Sequence, residues 1–366
     1  MQSFNILREI QVKENFKNNQ IKSVFDIQDN KITHKATHNL FFDEIENWNI
    51  GVITGISGAG KSTLAKEIAK KYNIKVIEKN EWNDDSIINN FKGNIDEVLD
   101  FLTKVGLNTQ PSYLKPYSIL SNGEKMRCDI AKAIFENDFV IIDEFTSVVD
   151  RHIAKIICMC IKKLLNKYTN KKIIFVSCHK DFLEWLEPSW HYDLDTQTFL
   201  KDLLWQRPKM EFYITKGQRT DWELFRQYHY LNHNLANTTN IFLLLNENKD
   251  KVGFIAFKAF PHPTIPLEKI HRLVILPDYQ GVGLGNSFLS KTCAIHFKEK
   301  KKVISITTSL IRFANSIKKN KDFICFHCGL NSGKNNGRPE LRKALKKAQR
   351  VKNISFKYLP SVKAKK

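Results

Sequence analysis

The segment from Gly55 to Thr63 has the residue types and spacing of a loop that binds phosphate. Its sequence, GISGAGKST, combines three glycines with Lys61 and, directly after it, Ser62. Glycines let backbone N–H groups converge on a phosphate, the lysine pairs with the outer phosphates, and the serine hydroxyl can ligate Mg²⁺. The residues predicted to bind the nucleotide are Gly55, Ser57, Gly58, Ala59, Gly60, Lys61, Ser62 and Thr63.

The residues on either side of this loop predict the elements that position it. The preceding run WNIGVIT is short and apolar, which is typical of a buried strand. The following run STLAKEIAKKY places Leu64, Ile68 and Tyr72 at helical spacing. A strand, a loop and a helix in this order aim the helix N-terminus and its dipole at the phosphates.

A second apolar run, FVIIDE, ends in two adjacent carboxylates, Asp143 and Glu144. In phosphoryl transfer one carboxylate can hold the metal ion and the next can polarise an attacking water. We therefore predict Ser62 and Asp143 as Mg²⁺ ligands and Glu144 as the catalytic base of nucleotide hydrolysis.

The motifs that follow the loop resemble those of the ATP-binding cassette (ABC) ATPases. Leu120–Glu124 is similar to the signature motif of that family, and Asp143–Glu144 to the end of its Walker B strand. Ser147–Asp150 is similar to its D-loop, and His179 in FVSCHK to its switch histidine. The Q-loop glutamine of the family has no obvious counterpart, and Asn80 is the candidate for its place.

This resemblance implies ATP as the nucleotide and a head-to-tail homodimer that forms when ATP binds. Ser121 and Gly123 of one subunit would then close on the γ-phosphate held by the other. The phosphate loop and the signature are close in sequence, at Lys61 and Ser121, so the intervening region is shorter than the family usually has. That argues against a transporter and for a non-membrane member of the family.

A second glycine-rich turn lies in the run IHRLVILPDYQGVGLGNSFLSKTCAI. An apolar strand, a turn opened by Pro277–Asp278 and a helix surround it, and it resembles the acyl-CoA loop of GCN5-related (GNAT) acetyltransferases. The resemblance implies acetyl-CoA or a related acyl-CoA as the donor, with its pyrophosphate at a helix N-terminus. The residues predicted to bind it are Leu273, Val274, Ile275, Gln280, Gly281, Val282, Gly283, Leu284 and Gly285.

The later GNAT motif is altered in IRFANSIKKNKDF, where Lys318 replaces the tyrosine that usually acts as general acid. Ile311 and Asp322 replace the asparagine and the glycine of the same motif. His229 and Tyr230, in FRQYHYLNHNL, are the candidate catalytic residues, because a histidine can accept a proton near pH 7. The alternative is that His229 is a packed core residue.

The predicted fold class is α/β, with an ABC-type P-loop ATPase domain at 1–205 followed by a GNAT-fold acyl-CoA domain at 206–366. The second domain is expected to be a mixed sheet flanked by helices, and Arg207–Pro208 is the predicted boundary.

Residues 206–366 hold 31 Lys and Arg against 10 Asp and Glu, whereas residues 1–205 hold 27 against 28. Residues 291–366 alone hold 21 against 3. Such a surface attracts polyanions, which predicts a nucleic-acid partner.

The order of the two domains and the basic C-terminal tail resemble phage-type fused ATPase–acetyltransferase proteins related to Mom-like DNA modifiers. The resemblance implies acyl transfer to a nucleic-acid base, with adenine in DNA as the expected acceptor. Two alternatives stay open, an RNA acetyltransferase and a non-catalytic, ATP-gated DNA-binding protein. The tail run RPELRKALKKAQR predicts a basic amphipathic helix. Four aromatic residues are candidates to stack a base, with core packing as the alternative, namely Phe323, Phe326, Phe356 and Tyr358.

The seven cysteines have irregular spacing and predict reduced thiols. Cys325 and Cys328 could begin a zinc site, but without a second ligand pair we expect buried thiols. No apolar run approaches the roughly 18 residues of a membrane helix, and the N-terminus has no secretion signal, so we expect no membrane partner. The expected location is the cytoplasm, that of the host cell if the protein is encoded by a phage.

Overall fold

A computed structural model describes residues 2–27, 30–201, 203–206, 209–229, 234–237, 240–262, 264–330 and 352–359. The chain divides into two compact units. The first comprises Met1–Asn108 with Ser112–Pro208, and the second comprises Thr109–Pro111 with Lys209–Lys366. Both Arg207 and Pro208, the predicted boundary, lie outside the described residues.

The first half of the chain alternates strands and helices. Its strands and α-helices in chain order are β1 (Gln2–Gln11), α1 (Phe16–Phe25), β2 (Lys31–Leu40), β3 (Ile50–Thr54), α2 (Lys61–Tyr72), β4 (Lys75–Ile77), α3 (Ile95–Lys104), α4 (Gln110–Tyr113), α5 (Asn122–Glu136), β5 (Phe139–Ile142), α6 (Arg151–Leu165), β6 (Lys172–Ser177), α7 (Leu183–Leu186), β7 (Trp190–Asp193) and β8 (Thr198–Lys201). Short 3-10 helices lie at Phe42–Glu44, Ile87–Asn90 and Tyr117–Ile119.

A six-stranded sheet in the order β4-β5-β6-β3-β7-β8 forms the centre of the first unit. Neighbouring strands from β4 to β7 are parallel, and β8 returns antiparallel to β7. The central strand β3 is buried along its whole length. Its residues alternate between two apolar clusters: Val52 packs with α3, α5 and α6, and Ile53 packs with α2. Helices therefore cover both faces, as parallel strands require.

The N-terminal strands β1 and β2 form a separate antiparallel pair with Gln2 opposite Leu40. Phe4, Ile6 and Leu40 are buried in the cluster that also holds Ile53. This pair adds apolar cover to the α2 side of the central sheet. The connecting helix α1 buries none of its residues.

A buried histidine lies behind the loop that follows β3. The Nε2 atom of His191, on β7, is 2.8 Å from Oγ1 of Thr54, the last residue of β3. Burial lowers the pKa of His191 from its ordinary 6.5 to about 4, although the charge of Asp193 acts in the opposite direction. The folded first unit therefore holds this imidazole neutral at pH 5 and above.

We expect the first unit to lose stability as the pH falls from 6.5 toward 4. In that window the unfolded chain protonates His191 and the folded chain does not, so the unfolded state binds more protons. Between pH 7 and pH 5 this difference costs about 2 kcal/mol of unfolding free energy. His191→Gln retains a group that can bond Thr54 and should remove that part of the pH dependence. Urea unfolding at pH 7 and pH 5, with pulsed hydrogen exchange of peptides from β3, measures the unfolding free energy of the first unit. Equal pH dependence in the wild type and in His191→Gln would contradict a lowered pKa of His191.

The second half of the chain is mainly strands. Its strands and α-helices are β9 (Tyr213–Lys216), α8 (Trp222–Phe225), β10 (Asn240–Leu245), β11 (Lys251–Phe260), β12 (Leu267–Ile275), α9 (Leu284–Lys300), β13 (Val303–Thr308), α10 (Ile311–Lys318), β14 (Phe323–Leu330) and β15 (Lys352–Tyr358). Short 3-10 helices lie at Arg219–Asp221, Arg226–Tyr228 and Pro277–Tyr279.

One seven-stranded sheet in the order β14-β15-β13-β12-β11-β10-β9 organises the second unit. Its pairs are antiparallel except for β12 with β13, which are parallel and joined by α9. The consecutive strands β10 and β11 form an antiparallel hairpin. A parallel neighbour reached through a helix makes the sheet mixed, as expected from the sequence.

Helices cover the two faces of this sheet unequally. We call the face on which α9 and α10 pack the inner face; Phe288 and Ala314 meet Ile304 and Phe356 there. The opposite, outer face carries α8, whose Trp222 packs on β11. The predicted helix within RPELRKALKKAQR lies outside the described residues.

The edge strand β14 corrects one prediction. Cys325 and Cys328, expected as buried thiols, are exposed, because β14 is the last strand of the sheet and has a neighbour on one side only. All seven cysteines are free thiols, as predicted. Within the described part of the chain, no cluster of three or more His, Cys, Asp or Glu residues could hold a metal ion.

Candidate functional site

Three neighbouring parallel strands bring the predicted ATPase residues to one edge of the first sheet. The strands β5, β6 and β3 are adjacent, and each is followed by one of the predicted motifs. Asp143 and Glu144 follow β5, His179 follows β6, and the glycine-rich loop follows β3. Carboxyl ends of parallel strands meet at the same edge, which is where ligands bind in open α/β sheets.

The loop between β3 and α2 has the backbone that its glycines allow. Gly58 and Gly60 have φ angles of 83° and 99°, in the left-handed region that favours glycine. A Cβ atom placed on either residue would meet no described atom within 4 Å, so the space beside the backbone is open. Gly55 is different, since a Cβ there would lie 3.0 Å from Cβ of Leu194. Ser57 is exposed and Ala59 half-buried. This concave backbone can accept a phosphate group.

Lys61 begins α2 and is almost fully buried. Its Nζ atom donates to the carbonyl oxygen of Ile56 at 2.8 Å, so the ammonium group lies across the loop. Ser62 and Thr63 follow in the first helical turn and are half-buried. The helix N-terminus and the lysine thus place positive charge at the loop.

The carboxylates after β5 differ in environment. Asp143 is buried; its Oδ1 atom accepts from the N–H of Glu144 at 2.8 Å, and its Oδ2 atom has no hydrogen-bond partner in the described part of the chain. Glu144 is exposed and has a left-handed φ of 55°, an uncommon backbone for a non-glycine residue. A buried carboxylate oxygen that lacks a donor fits a cation, and an exposed neighbour fits a base.

Hydrogen bonds tie His179 to the carboxylate strand. The Oγ atom of Ser177 donates to the carbonyl oxygen of Phe145 at 2.8 Å and accepts from the N–H of His179 at 3.1 Å. His179 is half-buried. The backbone around the predicted switch histidine is therefore held to the residue after Glu144.

Two residues that the sequence did not single out connect the phosphate loop to its surroundings, Asp195 directly and Lys180 through Asp195. Asp195, in the turn after β7, accepts from the N–H of Ile56 at 2.9 Å. Lys180, directly after His179, pairs with Asp193 at 2.7 Å and Asp195 at 3.2 Å. The hydrogen bond with Asp193 raises the pKa of Lys180 above its ordinary value. The contacts from Ile56 to Asp195 and from Asp195 to Lys180 thus link the phosphate loop to the segment that contains the predicted switch histidine.

The predicted signature motif forms the start of α5. Ser121 is exposed and caps the helix by accepting from the N–H of Glu124 at 3.2 Å, and Gly123 is buried. Asn80, the candidate for the Q-loop, donates its amide to the carbonyl oxygen of Asp129 at 2.8 Å. This bond connects the segment after β4 to the signature helix.

In the second unit, β12 and β13 part along their length. They pair from Leu267 opposite Val303 to Lys269 opposite Ser305, and β13 then continues with β15 as its partner. We call the space between Ile270–Ile275 of β12 and Ile306–Thr308 of β13 the β12–β13 gap. On the edge of β12 that faces β13, Leu273, Val274 and Ile275 therefore form no backbone pairs with β13. Strand backbone that has no ladder partner is what an extended arm with amide groups would pair with.

The glycine-rich turn follows β12 at the end of the strand that borders this gap. Gly281 and Gly283 have φ angles of 89° and 93°, and Gly283 immediately precedes α9. A Cβ on Gly283 would meet no described atom within 4 Å. Gln280 donates to the carbonyl oxygen of Ile275 at 2.7 Å, which joins the turn to the end of β12. Val282, Leu284 and Gly285 complete the predicted loop, with Leu284 and Gly285 in the first turn of α9.

The candidate catalytic residues of the second unit are only partly described. His229 is buried, and its ring centroid lies 5.9 Å from that of Trp222 on the outer face. Tyr230 lies outside the described residues. Lys318, in the place of the usual tyrosine, is exposed at the end of α10.

A histidine that no sequence motif marks, His271, lies on β12 beside the gap. His271 is the extra residue of a bulge in β12, because Ala256 pairs with Arg272 and Phe257 with Ile270. Its Nε2 atom accepts from the N–H of Ala236 at 3.2 Å. Burial, with smaller effects of Arg272 and Lys258, lowers the pKa of His271 to about 4. Strict alternation along IHRLVI gives no sign of this bulge.

Comparison with known proteins gives results for both halves of the chain. A model of the acetyltransferase (GNAT) family matches residues 182–315, which is less than half of the chain and begins upstream of residue 206. No match was found among curated proteins.

Solved structures similar to this chain include ABC cassettes and an acetyltransferase. The dimeric structure of MJ0796, a bacterial ABC transporter cassette, is 16% identical with a TM-score of 0.35, covering 51% of this chain and 94% of that chain. The cbiO1 protein from Clostridium perfringens is 19% identical with a TM-score of 0.33, covering 51% and 84%. Mutant forms of the spermidine/spermine N-acetyltransferase SpeG from Vibrio cholerae are 12% identical with a TM-score of 0.29, covering 41% and 94%.

The predicted α/β class is confirmed, because helices flank both the largely parallel sheet of the first unit and the mixed sheet of the second. The C-terminal half of the chain contains most of the region that matches the GNAT family model. Among the described helices, none has the length and apolar character needed to cross a membrane.

Proposed function

We propose that this protein is an ATP-dependent acyltransferase that modifies a base of nucleic acid, with adenine in DNA as the acceptor. The observation that carries the transferase is the β12–β13 gap, which ends at the left-handed glycines before α9. That arrangement suits the pantetheine arm and the pyrophosphate of an acyl-CoA. The GNAT match over residues 182–315 supports the same chemistry.

In the transfer step the acceptor amine attacks the thioester carbonyl carbon, an N–C bond forms, and the C–S bond breaks. The thiolate of CoA leaves and is protonated, while the attacking nitrogen loses a proton to a base. His229 and Tyr230 are the proposed proton-transfer residues, since Lys318 stands where the usual tyrosine would be. Leu273, Val274 and Ile275 would orient the donor through their backbone groups.

For ATP hydrolysis, Lys61 and the amides of the phosphate loop would bind the phosphates, and Glu144 would orient and deprotonate the attacking water. Ser62 and the buried, unsatisfied Oδ2 atom of Asp143 would hold Mg²⁺. When bound, the ion supplies positive charge that stabilises the transferring phosphoryl group. His179 would contact the γ-phosphate.

Exposed apolar residues in or directly beside the predicted ATPase motifs support a head-to-tail dimer. Ile56 in the phosphate loop is 67% exposed, Ile119 before the signature 64%, and Val148 in the D-loop 60%. Ser121 is also exposed, at the N-terminus of α5. These three apolar side chains would be covered if each signature faced the phosphate loop of the partner subunit.

The nucleic-acid acceptor is supported by charge. Residues 206–366 carry a large excess of basic residues, and residues 1–205 are nearly balanced. Lysine and arginine side chains gain affinity for nucleic acid because they release the counterions that surround its phosphates. The domain order also resembles phage-type proteins related to Mom-like DNA modifiers, which supports DNA over RNA and a location in the host-cell cytoplasm.

Nucleoside mass spectrometry of DNA and tRNA from cells that produce the protein tests this proposal. We expect an acylated deoxyadenosine that is absent from cells without the protein. A modified nucleoside in tRNA alone would select the RNA acetyltransferase. Acetyl-CoA binding by calorimetry without any modified nucleoside would contradict the enzyme and favour the ATP-gated binding protein.

A further inference from the structure

Three lysines lie in one row across the sheet of the second unit. Lys258 of β11 is paired with Lys269 of β12. Lys269 is paired with Ser305 of β13, and Ser305 in turn with Lys357 of β15. Because residues directly opposite one another project from the same face, the three lysines share one face of four consecutive strands.

The sequence neighbours of the row show that it lies on the outer face. Glu268, next to Lys269, bonds His296 of α9 at 2.5 Å and therefore points to the inner face. Ile304, next to Ser305, belongs to the cluster with α9 and α10. Side chains alternate along a strand, so Lys269 and Ser305 point the other way.

The surroundings of the row combine charge with apolar surface. Nζ of Lys269 lies 3.7 Å from the ring centroid of Phe260, which is 41% exposed. Ile324, opposite Lys357, is 53% exposed. The buried hydroxyl of Ser305 has no hydrogen-bond partner in the described part of the chain. Cations for phosphates and an exposed ring for a base are what a nucleic-acid strand needs.

Position relative to the gap favours the same ligand. Lys269 and Ser305 form the last pair before β12 and β13 separate. Adjacent strands are about 4.8 Å apart, so the row extends about 14 Å. A strand along the row would pass directly beside the β12–β13 gap.

We propose that Lys258, Lys269 and Lys357 bind the phosphate backbone of an unpaired stretch of nucleic acid, with Phe260 stacking one of its bases. The inference rests on the proposed function and names the surface that presents the acceptor. An unpaired strand is required because an enzyme that modifies a base must take it out of the helical stack.

The test compares two triple variants of the full chain in binding a fluorescein-labelled 20-nucleotide single-stranded DNA. One variant replaces the row (Lys258→Gln, Lys269→Gln, Lys357→Gln). The control replaces three exposed lysines of α9, away from the outer face (Lys291→Gln, Lys298→Gln, Lys300→Gln). Both remove the same charge. We expect the row variant to flatten the slope of log K against log salt by about 2, at about 0.7 per contact, and the control to change it by less than half of that.

Phe260→Ala provides a second variant that keeps the charge. We expect about tenfold weaker binding with an unchanged salt slope, because stacking releases no counterions. Equal effects of the two lysine triples would overturn the row as the binding surface while leaving nucleic-acid binding intact. If the wild-type chain binds neither single-stranded DNA, duplex DNA nor RNA, the nucleic-acid acceptor of the proposed function itself fails.

Discussion

Glu144→Gln is expected to reduce the rate of ATP hydrolysis by about 10²- to 10⁴-fold, which is the usual contribution of a general base. The amide keeps the size of the side chain but cannot take a proton from water. Because Asp143, Lys61 and the glycines are unchanged, ATP should still bind. The measurement is steady-state phosphate release with Mg²⁺, alongside nucleotide binding by calorimetry.

The same variant should accumulate an ATP-bound dimer, because the closed state persists when hydrolysis is slow. Light scattering with ATP and Mg²⁺ measures its mass. Glu184→Gln, at an exposed glutamate of α7, is the matched control and should hydrolyse ATP as the wild type does. Hydrolysis at the wild-type rate in Glu144→Gln would exclude Glu144 as the base. A monomer at saturating ATP would count against the head-to-tail dimer.

The geometry of the candidate phosphate-binding site follows largely from the sequence, because each of its parts is a short local motif. The spacing of Gly55, Gly58 and Gly60 specifies a loop that only glycines can form, and two of these residues have left-handed φ angles. Apolar runs before Asp143 and His179 predict parallel strands, and the ends of such strands meet at one edge. The sequence therefore indicated both the local shapes and their meeting place.

Contacts between distant segments could not be predicted in this way. Asp195 bonds the N–H of Ile56 across 139 residues, and nothing in its local sequence marks it as part of a phosphate loop. The bulge at His271 depends on the register between β11 and β12, and register is a property of two strands. The exposure of Cys325 follows from the position of β14 at the sheet edge, which depends on the whole strand order.

The burial of the aromatic residues in the second unit also depends on strand arrangement, which local sequence does not specify. Phe323, Phe356 and Tyr358 were candidates to stack a base, and all three are buried in the inner cluster. Phe326, from the same group, is 59% exposed. Composition identified aromatic residues near the basic region, but only the alternation of faces along β14 and β15 separates core residues from surface residues.

Gly283→Val is expected to abolish acyl-CoA binding, a loss of at least 100-fold in affinity, while ATP binding is unchanged. The φ angle of 93° at Gly283 strains any other residue, and a branched side chain would fill the open space beside the backbone. That space is where we propose that the pyrophosphate approaches the start of α9. Calorimetry with acetyl-CoA and with ATP measures both affinities on one protein.

Gly285→Ala is the matched control for this loop. Its Cβ would lie 3.8 Å from Cγ1 of Ile275, an ordinary contact, and Gly285 has no left-handed φ angle. We expect Gly285→Ala to bind acetyl-CoA at least tenfold more tightly than Gly283→Val does. Wild-type acetyl-CoA binding by Gly283→Val would show that the donor does not approach this turn. The phosphate loop at Gly58 and Gly60 and the turn at Gly283 belong to separate units, so ATP binding should not depend on the turn. Loss of ATP binding together with acetyl-CoA binding would therefore contradict two separate sites.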